Sequence, residues 1–420
     1  MTTPPQTRTL PGADGLLAVA GLLFFPVAVF APIQLSGLLA LTTAGFLFFY
    51  VRARRWPRLD WVLWLPLVAL VLWADTTLLW AVDAELGAKE ALRFAAMIAG
   101  AAVVVAGART LDDEGGARVA RFLVLGTAIG AALLAVEIAT RGAILEAGRA
   151  VLGRDGPFIF SVAFNRATAA IAVLAWPVAL LHLRRRHPFR AAATIAFGLF
   201  AIVLLDKNAS AIALTLGGLA FVAAWFAGRA MAAALAIAIA AATLAAPLLP
   251  LHVLEPKAVA RAHPDISFSE YHRLVIWRFV AEKIAERPLQ GWGMNASRVI
   301  PGGKELEITA IPERAPRGSG DNPAEKLPLH PHSAPLQLWL ELGLPGAALG
   351  AVFAAIVAWR LRDRAMDRAA RAAALGCLVS AATIFFMSFS VWQSWWLAAL
   401  ALVATFMHAA TKPTPERGAA

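Results

Sequence analysis

The chain has 420 residues, 60% of them hydrophobic and only 15% charged, and its mean hydropathy is +0.67. So little polar surface cannot clothe a water-soluble domain, which excludes an ordinary soluble protein and points to a polytopic membrane protein. The formal net charge of +11 has to be read by position before any partner is inferred, and a single cysteine, Cys377 in an apolar run, excludes an internal disulfide or a thiolate metal site.

A membrane-spanning helix needs roughly 20 mainly apolar residues. The polar start MTTPPQTRTLPGADG has no small-residue cleavage site behind the first apolar stretch, so that stretch is expected to remain as a helix. In chain order, spans are predicted near 15–31, 34–51, 60–80, 89–107, 118–139, 162–183, 191–206, 209–227, 230–250, 334–359, 370–390 and 394–410. The expectation is thus an all-α polytopic fold of about 12 transmembrane helices. The segments RARRWPR, RTLDDEGGAR, RRRHPFR, Gly228-Arg229 and RLRDRAMDRAAR alternate onto one side and hold most short-loop arginines. By the positive-inside rule that side and both termini are cytoplasmic, so the net charge reflects topology and not a nucleic-acid partner. Three regions follow: helices one to nine over 1–250, a periplasmic loop domain over 251–333, and the last three helices with a cytoplasmic tail over 334–420.

The 251–333 insertion is out of proportion to the other loops and holds five of the eight histidines, His252, His263, His272, His330 and His332. Loops longer than about 15 residues are usually functional or disordered. Ser267 to Glu270 reads as a capping box, and apolar positions at helical spacing continue to Pro288. Glu270, Arg273 and Trp277 share a face of that helix, while Leu274, Val280 and Ile284 supply apolar contacts. PLQGWGMN reads as a glycine-rich turn, and the following GGKELEITAIPERAPRGSGDNPAEKLP as irregular.

The loop ends in HPHSAPLQLWLELGLPG, which runs into the tenth span. Ser333 is expected to cap that helix, with Pro335 tolerated in its first turn. His332 then sits beside the positive helix end, which favours the neutral imidazole able to accept a proton. The same helix end would welcome a phosphate. Ser333, Gln337 and Glu341, four residues apart, form a polar stripe expected to line a cavity or to bond another helix. His330 reads as a neighbour of His332 that could line the same cavity; a metal at the His-Pro-His pair lacks a third ligand at suitable spacing. Trp392, Trp395 and Trp396 read as interface anchors.

His332-Ser333 followed by nine residues and Gly343-Leu-Pro-Gly346 resembles the signature of the bacterial O-antigen ligase family, within the O-antigen ligase/polymerase superfamily. The Arg273-x-x-x-Trp277 helix and the PLQGWGMN turn resemble that superfamily's large periplasmic loop. The resemblance implies a GT-C-like glycosyltransferase of the bacterial inner membrane, working on the periplasmic face without cofactor or metal; inversion is expected because nothing in the chain looks like an activated nucleophile. Its donor would be an undecaprenyl-diphosphate-linked glycan, its acceptor lipid A-core, its other partners membrane lipids, and its state a monomer. His332 carries over as the essential histidine, read as general base, and Arg273 as a diphosphate-binding arginine. Where relatives have a Ser-Arg pair this chain reads Asp206-Lys207-Asn208, so Lys207 is a point-charge substitute. Arg166 and, on the same rim, Arg154 are further candidates for that side. The alternatives are an O-antigen polymerase or protein O-oligosaccharyltransferase using the same donor, and a lipid-linked sugar transporter, which should show internal repeats.

Overall fold

The computed structural model describes residues 9–153, 158–263, 266–308 and 323–412. Five long helices open the chain: α1 (Ala13–Phe30), α2 (Leu35–Arg52), α3 (Trp61–Thr76), α4 (Ala84–Ala108) and α5 (Asp113–Thr140). The short α6 (Ala143–Val151) and α7 (Phe160–Ala163) follow, then α8 (Asn165–Arg184), α9 (Pro188–Leu204), α10 (Asn208–Ala227) and α11 (Arg229–Ala245). The long insertion holds α12 (Leu248–His252), α13 (Pro256–Ala262), α14 (Phe268–Glu286) and the strands β1 (Leu306–Ile308) and β2 (Pro323–Glu325). The chain closes with α15 (Ala334–Arg360), α16 (Arg368–Met387) and α17 (Ser394–Ala410).

All twelve predicted spans are helices. Among the described residues nine are long and apolar enough to cross a membrane, and α9, α11 and α17 are shorter apolar helices. The protein is therefore an all-α polytopic membrane protein. Starts are set by carboxylates where the sequence offers them: Asp83, Asp112 and Asp367 accept the backbone N–H of Leu86, Gly115 and Ala370. Helix α8 is buried from Ala167 through Leu181 on every side, as befits an all-round apolar helix at the centre of a bundle. Small residues allow close approach there: Gly217 and Gly376 both face Trp176, whose indole N–H donates to Ser380 at 3.0 Å. Exposed apolar side chains such as Leu41, Phe48, Leu72, Leu92 and Leu219 form the outer surface that a bilayer would solvate.

The helix ends gather on two faces. On one, Asp60 takes Arg360 at 2.7 Å and Arg109 at 3.7 Å, Asp14 pairs with Arg118, and Arg184 bridges Asp367 and the carbonyl of Lys412. This is the face of the arginine-rich loops. The insertion occupies the other face. The expectation that 302–328 is irregular is corrected for its ends, since β1 and β2 pair antiparallel with Leu306 opposite Glu325. Lys304 with Glu325 and Lys326 with Glu305 staple that ribbon. The tryptophan expectation is also corrected: Trp392, Trp395 and Trp396 are buried, because the turn before α17 tucks back into the bundle instead of riding at its edge.

Candidate active site

Helix α14 starts with the predicted capping box, Ser267 accepting from the N–H of Glu270 while the Glu270 carboxylate takes the N–H and hydroxyl of Ser267. The Glu270 carboxylate also accepts from Asn208 at 3.3 Å, which ties the first turn of α14 to the first turn of α10. These bonds hold its carboxyl below the usual range. Occupied in this way, Glu270 forms no ion pair with Arg273, one turn on. The Arg273 guanidinium is half-buried, and among the described residues it has no hydrogen bond or ion pair; burial lowers its otherwise very high pKa, opposed by the Glu270 charge. A further turn along, Trp277 donates to the carbonyl of Pro331 at 2.8 Å, and His272 Nε2 donates to that of Glu325 at 2.8 Å. Leu274, Val280 and Ile284 are buried beneath, as their spacing predicted.

The two glycine motifs turn out to be the halves of one seam. Helix α15 breaks at Gly343, where φ is +64° and ψ −162°, so the single span expected over 334–359 is two helices meeting at a kink. Pro345 has no N–H to return to Glu341, and the N–H of Leu344 leaves the helix to donate to Pro288 at 2.9 Å. The carbonyls so released are taken up from outside: Leu340 by the N–H of Trp292 at 2.9 Å, Glu341 by that of Gly293 at 2.8 Å, and Leu342 by the indole of Trp73 at 2.8 Å. Backbones come so close that a Cβ on Gly343 would lie 2.3 Å from the carbonyl oxygen of Leu289, and one on Gly291 would lie 2.5 Å from that of Glu341. The GLPG segment is therefore a docking break for PLQGWG.

The polar stripe of α15 faces inward. Glu341 is fully buried, and its carboxylate accepts from Asn295 N–H at 2.7 Å, Ser297 hydroxyl at 2.5 Å, Trp392 indole at 2.6 Å and Gln337 amide at 2.9 Å. Gln337 in turn accepts from Val391 N–H at 3.1 Å. Gln337 and Glu341 thus knot the insertion and the α16–α17 turn onto α15. Ser333 stands at the N-cap as expected, but it is buried and its hydroxyl makes no capping bond.

Above this knot lie the two histidines. His332 has φ +56°, a left-handed conformation unusual for a side chain with a Cβ, and its N–H donates to Nδ1 of His330 at 3.1 Å. Their rings are 4.3 Å apart. His332 Nδ1 lies 2.8 Å from the carbonyl of Ser388, one of the free carbonyls at the end of α16. A carbonyl can only accept, so Nδ1 carries the proton in the neutral ring and Nε2 keeps the lone pair. Nε2 has no hydrogen-bond partner among the described residues. Burial is the main cause that pushes His332 down to about 4, with Arg273 and His272 adding to it and the Ser388 carbonyl opposing. Burial, then the charges of His332, Arg298 and Arg273, pushes His330 down to about 3. Burial, more than the helix end, keeps the pair neutral.

Lys207 immediately precedes α10, half-buried, its pKa lowered by burial and raised in part by Asp206. It precedes Asn208, the residue bonded to Glu270, so the start of α10 and Arg273 belong to one rim. Arg166 is on the first turn of α8, which meets the first turn of α10 through Ser210 and Thr168 at 3.2 Å. Arg154 lies outside the described residues. The sequence reading missed Arg298, an exposed arginine close enough to His330 to lower its pKa and bonded through Nε to Asn295 at 3.3 Å. Its only sequence signal is its place, three residues after the PLQGWGMN turn. Ser388 was also missed, because a backbone acceptor carries no residue-type signature.

Comparison with known proteins adds an independent finding. A family model described as O-antigen ligase matches residues 193–351, a stretch that contains Lys207, Arg273, His330, His332 and the Gly343–Gly346 break but not Arg166. A protein of Rickettsia bellii, provisionally named a polysaccharide ligase, is 30% identical over 298 residues, covering 69% of this chain and 67% of the relative. A protein of Rickettsia prowazekii with the same provisional name is 28% identical over 251 residues, covering 59% of each chain. A third, from Rickettsia conorii, is 28% identical over 254 residues and covers 59% of this chain and 58% of its own.

Proposed function

This chain belongs to the O-antigen ligase family, and from that premise we propose that it moves a glycan from undecaprenyl diphosphate to a sugar hydroxyl of lipid A-core on the periplasmic face of the bacterial inner membrane. The observation that carries the reading is the pairing of a neutral His332, its Nε2 lone pair left open by the Nδ1–H bond to Ser388, with the Arg273 guanidinium, which has no partner among the described residues. The acceptor oxygen attacks the anomeric carbon as its proton passes to His332 Nε2. The bond from that carbon to the diphosphate breaks, and undecaprenyl diphosphate leaves with the electron pair, inverting the configuration. Arg273, with Lys207 and Arg166 along the rim, takes up the charge of the leaving diphosphate, a guanidinium matching two phosphate oxygens at once. This is the part a divalent cation plays in other phosphate-releasing enzymes, and the proposed chemistry proceeds without one.

The test supplies purified protein with an undecaprenyl-diphosphate glycan and, in separate reactions, lipid A-core, a second donor molecule or an acceptor protein. Elongation of lipid A-core alone, insensitive to chelator, is the expected result. Elongation of the second donor would make the chain a polymerase, and of the protein an oligosaccharyltransferase. Arg273→Lys is expected to weaken donor binding about tenfold, since one point charge replaces a two-pronged contact; donor binding equal to the parent's would place the clamp elsewhere.

A further inference from the structure

Helix α15 is 27 residues long, so even with its kink its far end lies up to about 40 Å from His332, on the arginine-loop face. There Arg229, Arg362 and Arg364, with Ala227 and Ala230, line a cavity of about 570 Å³ between the α10–α11 junction and the α15–α16 turn. No ion pair reaches any of the three guanidinium groups among the described residues, and Nε of Arg362 is buried without a hydrogen-bond partner. Asp363, between two of them in the chain, uses a carboxylate oxygen on the N–H of Ala365 at 3.0 Å. The turn is held in shape from beneath: the buried Arg371 donates to the carbonyls of Leu361 at 2.9 Å, Asp363 at 2.6 Å and Met366 at 2.8 Å. Arg362 also stacks 3.8 Å over Trp359.

Three cations held around one cavity repel one another unless an anion sits between them. The cavity opens at the level where two membrane helices end, beside the exposed Phe226 and Trp359, which suits an anion that carries an apolar tail. We propose that this cavity binds the phosphodiester head group of an anionic membrane lipid, a site separate from the histidine pair. The positive-inside rule accounts for arginines on this face, but it does not require three of them to line one open concavity beside a braced turn.

The experiment uses the purified full chain in detergent and native mass spectrometry, with dioleoyl phosphatidylglycerol, dioleoyl phosphatidylcholine and inorganic phosphate as probes. The parent is expected to retain phosphatidylglycerol, and a variant combining Arg229→Gln, Arg362→Gln and Arg364→Gln to lose about tenfold or more in affinity for it. Phosphatidylcholine should be held weakly and equally by both. A control combining Arg54→Gln, Arg186→Gln and Arg190→Gln removes the same charge from the same face away from the cavity, and should leave phosphatidylglycerol binding intact. Unchanged binding in the cavity variant, or an equal loss in the control, overturns the site. Displacement of the lipid by millimolar inorganic phosphate overturns its assignment to a lipid.

Discussion

At His332, burial and the Arg273 charge bring the imidazole down to about 4 from its ordinary 6.5, and the consequence is a ring already neutral well below pH 7. The acid limb of kcat/KM for ligation, which reports the free protein, is therefore expected to stay flat through pH 6.5 and to bend near 4. The stability effect has the same sign. The unfolded chain binds the proton first, so the contribution of His332 is complete above about 6.5 and is lost as pH falls toward 4. A pH–rate profile bending at 6.5 would contradict this environment. His330 has a role that sequence reading did not give it, because its Nδ1 holds the N–H of His332 and with it the left-handed backbone that aims the ring. His330→Asn offers an oxygen to the same N–H two residues on, whereas His330→Ala does not. The alanine variant is expected to lose up to about tenfold in kcat with KM little changed, the worth of about one hydrogen bond, and the asparagine variant to recover much of it. Equal losses in both variants would assign His330 to packing alone.

Among the elements, the broken helix α15 carries the site. Its upper half is locked by the seam with PLQGWG and by the Glu341 knot, so the loop that presents Arg273 and the helix that follows His332 move as one piece. Gly343→Ala forces a Cβ to within 2.3 Å of a carbonyl oxygen at a positive φ, and is expected to cost more than about 2 kcal/mol in detergent unfolding. Glu341→Ala strands the donors of Asn295, Ser297, Trp392 and Gln337 together, and about 3–5 kcal/mol is expected for that loss. A cost below about 1 kcal/mol for either variant would show that the seam does not hold the loop. The histidine-to-glycine spacing was legible in the sequence, but its reason was not. A helix break takes its meaning from the N–H groups that fill it, and these come from far upstream: two from Trp292 and Gly293, some fifty positions back, and the third from Trp73, 269 positions back.

For the whole molecule, the two faces make a topological prediction. In a Cys377→Ala background, Lys304→Cys on the insertion and Arg186→Cys on the arginine face are both at exposed positions. A membrane-impermeant maleimide added to spheroplasts is expected to label the first and to reach the second only after lysis. The reverse pattern would invert the proposed orientation and move the histidine pair to the cytoplasmic side.

Hydropathy, arginine-rich loops, a capping box and one spaced motif were enough to read twelve helices, two faces and the insertion, and to single out His332 and Arg273 as candidates, from the chain alone. Each is a local signal, because bilayer thickness fixes helix length, and helix caps and charge placement act within a few residues. Tertiary structure alone decided which nitrogen of His332 is open, that Arg273 has no partner among the described residues, that Glu341 bonds a loop, and that three arginines line one concavity. Those outcomes depend on backbone carbonyls and distant donors, which any residue type can supply and which folding brings together.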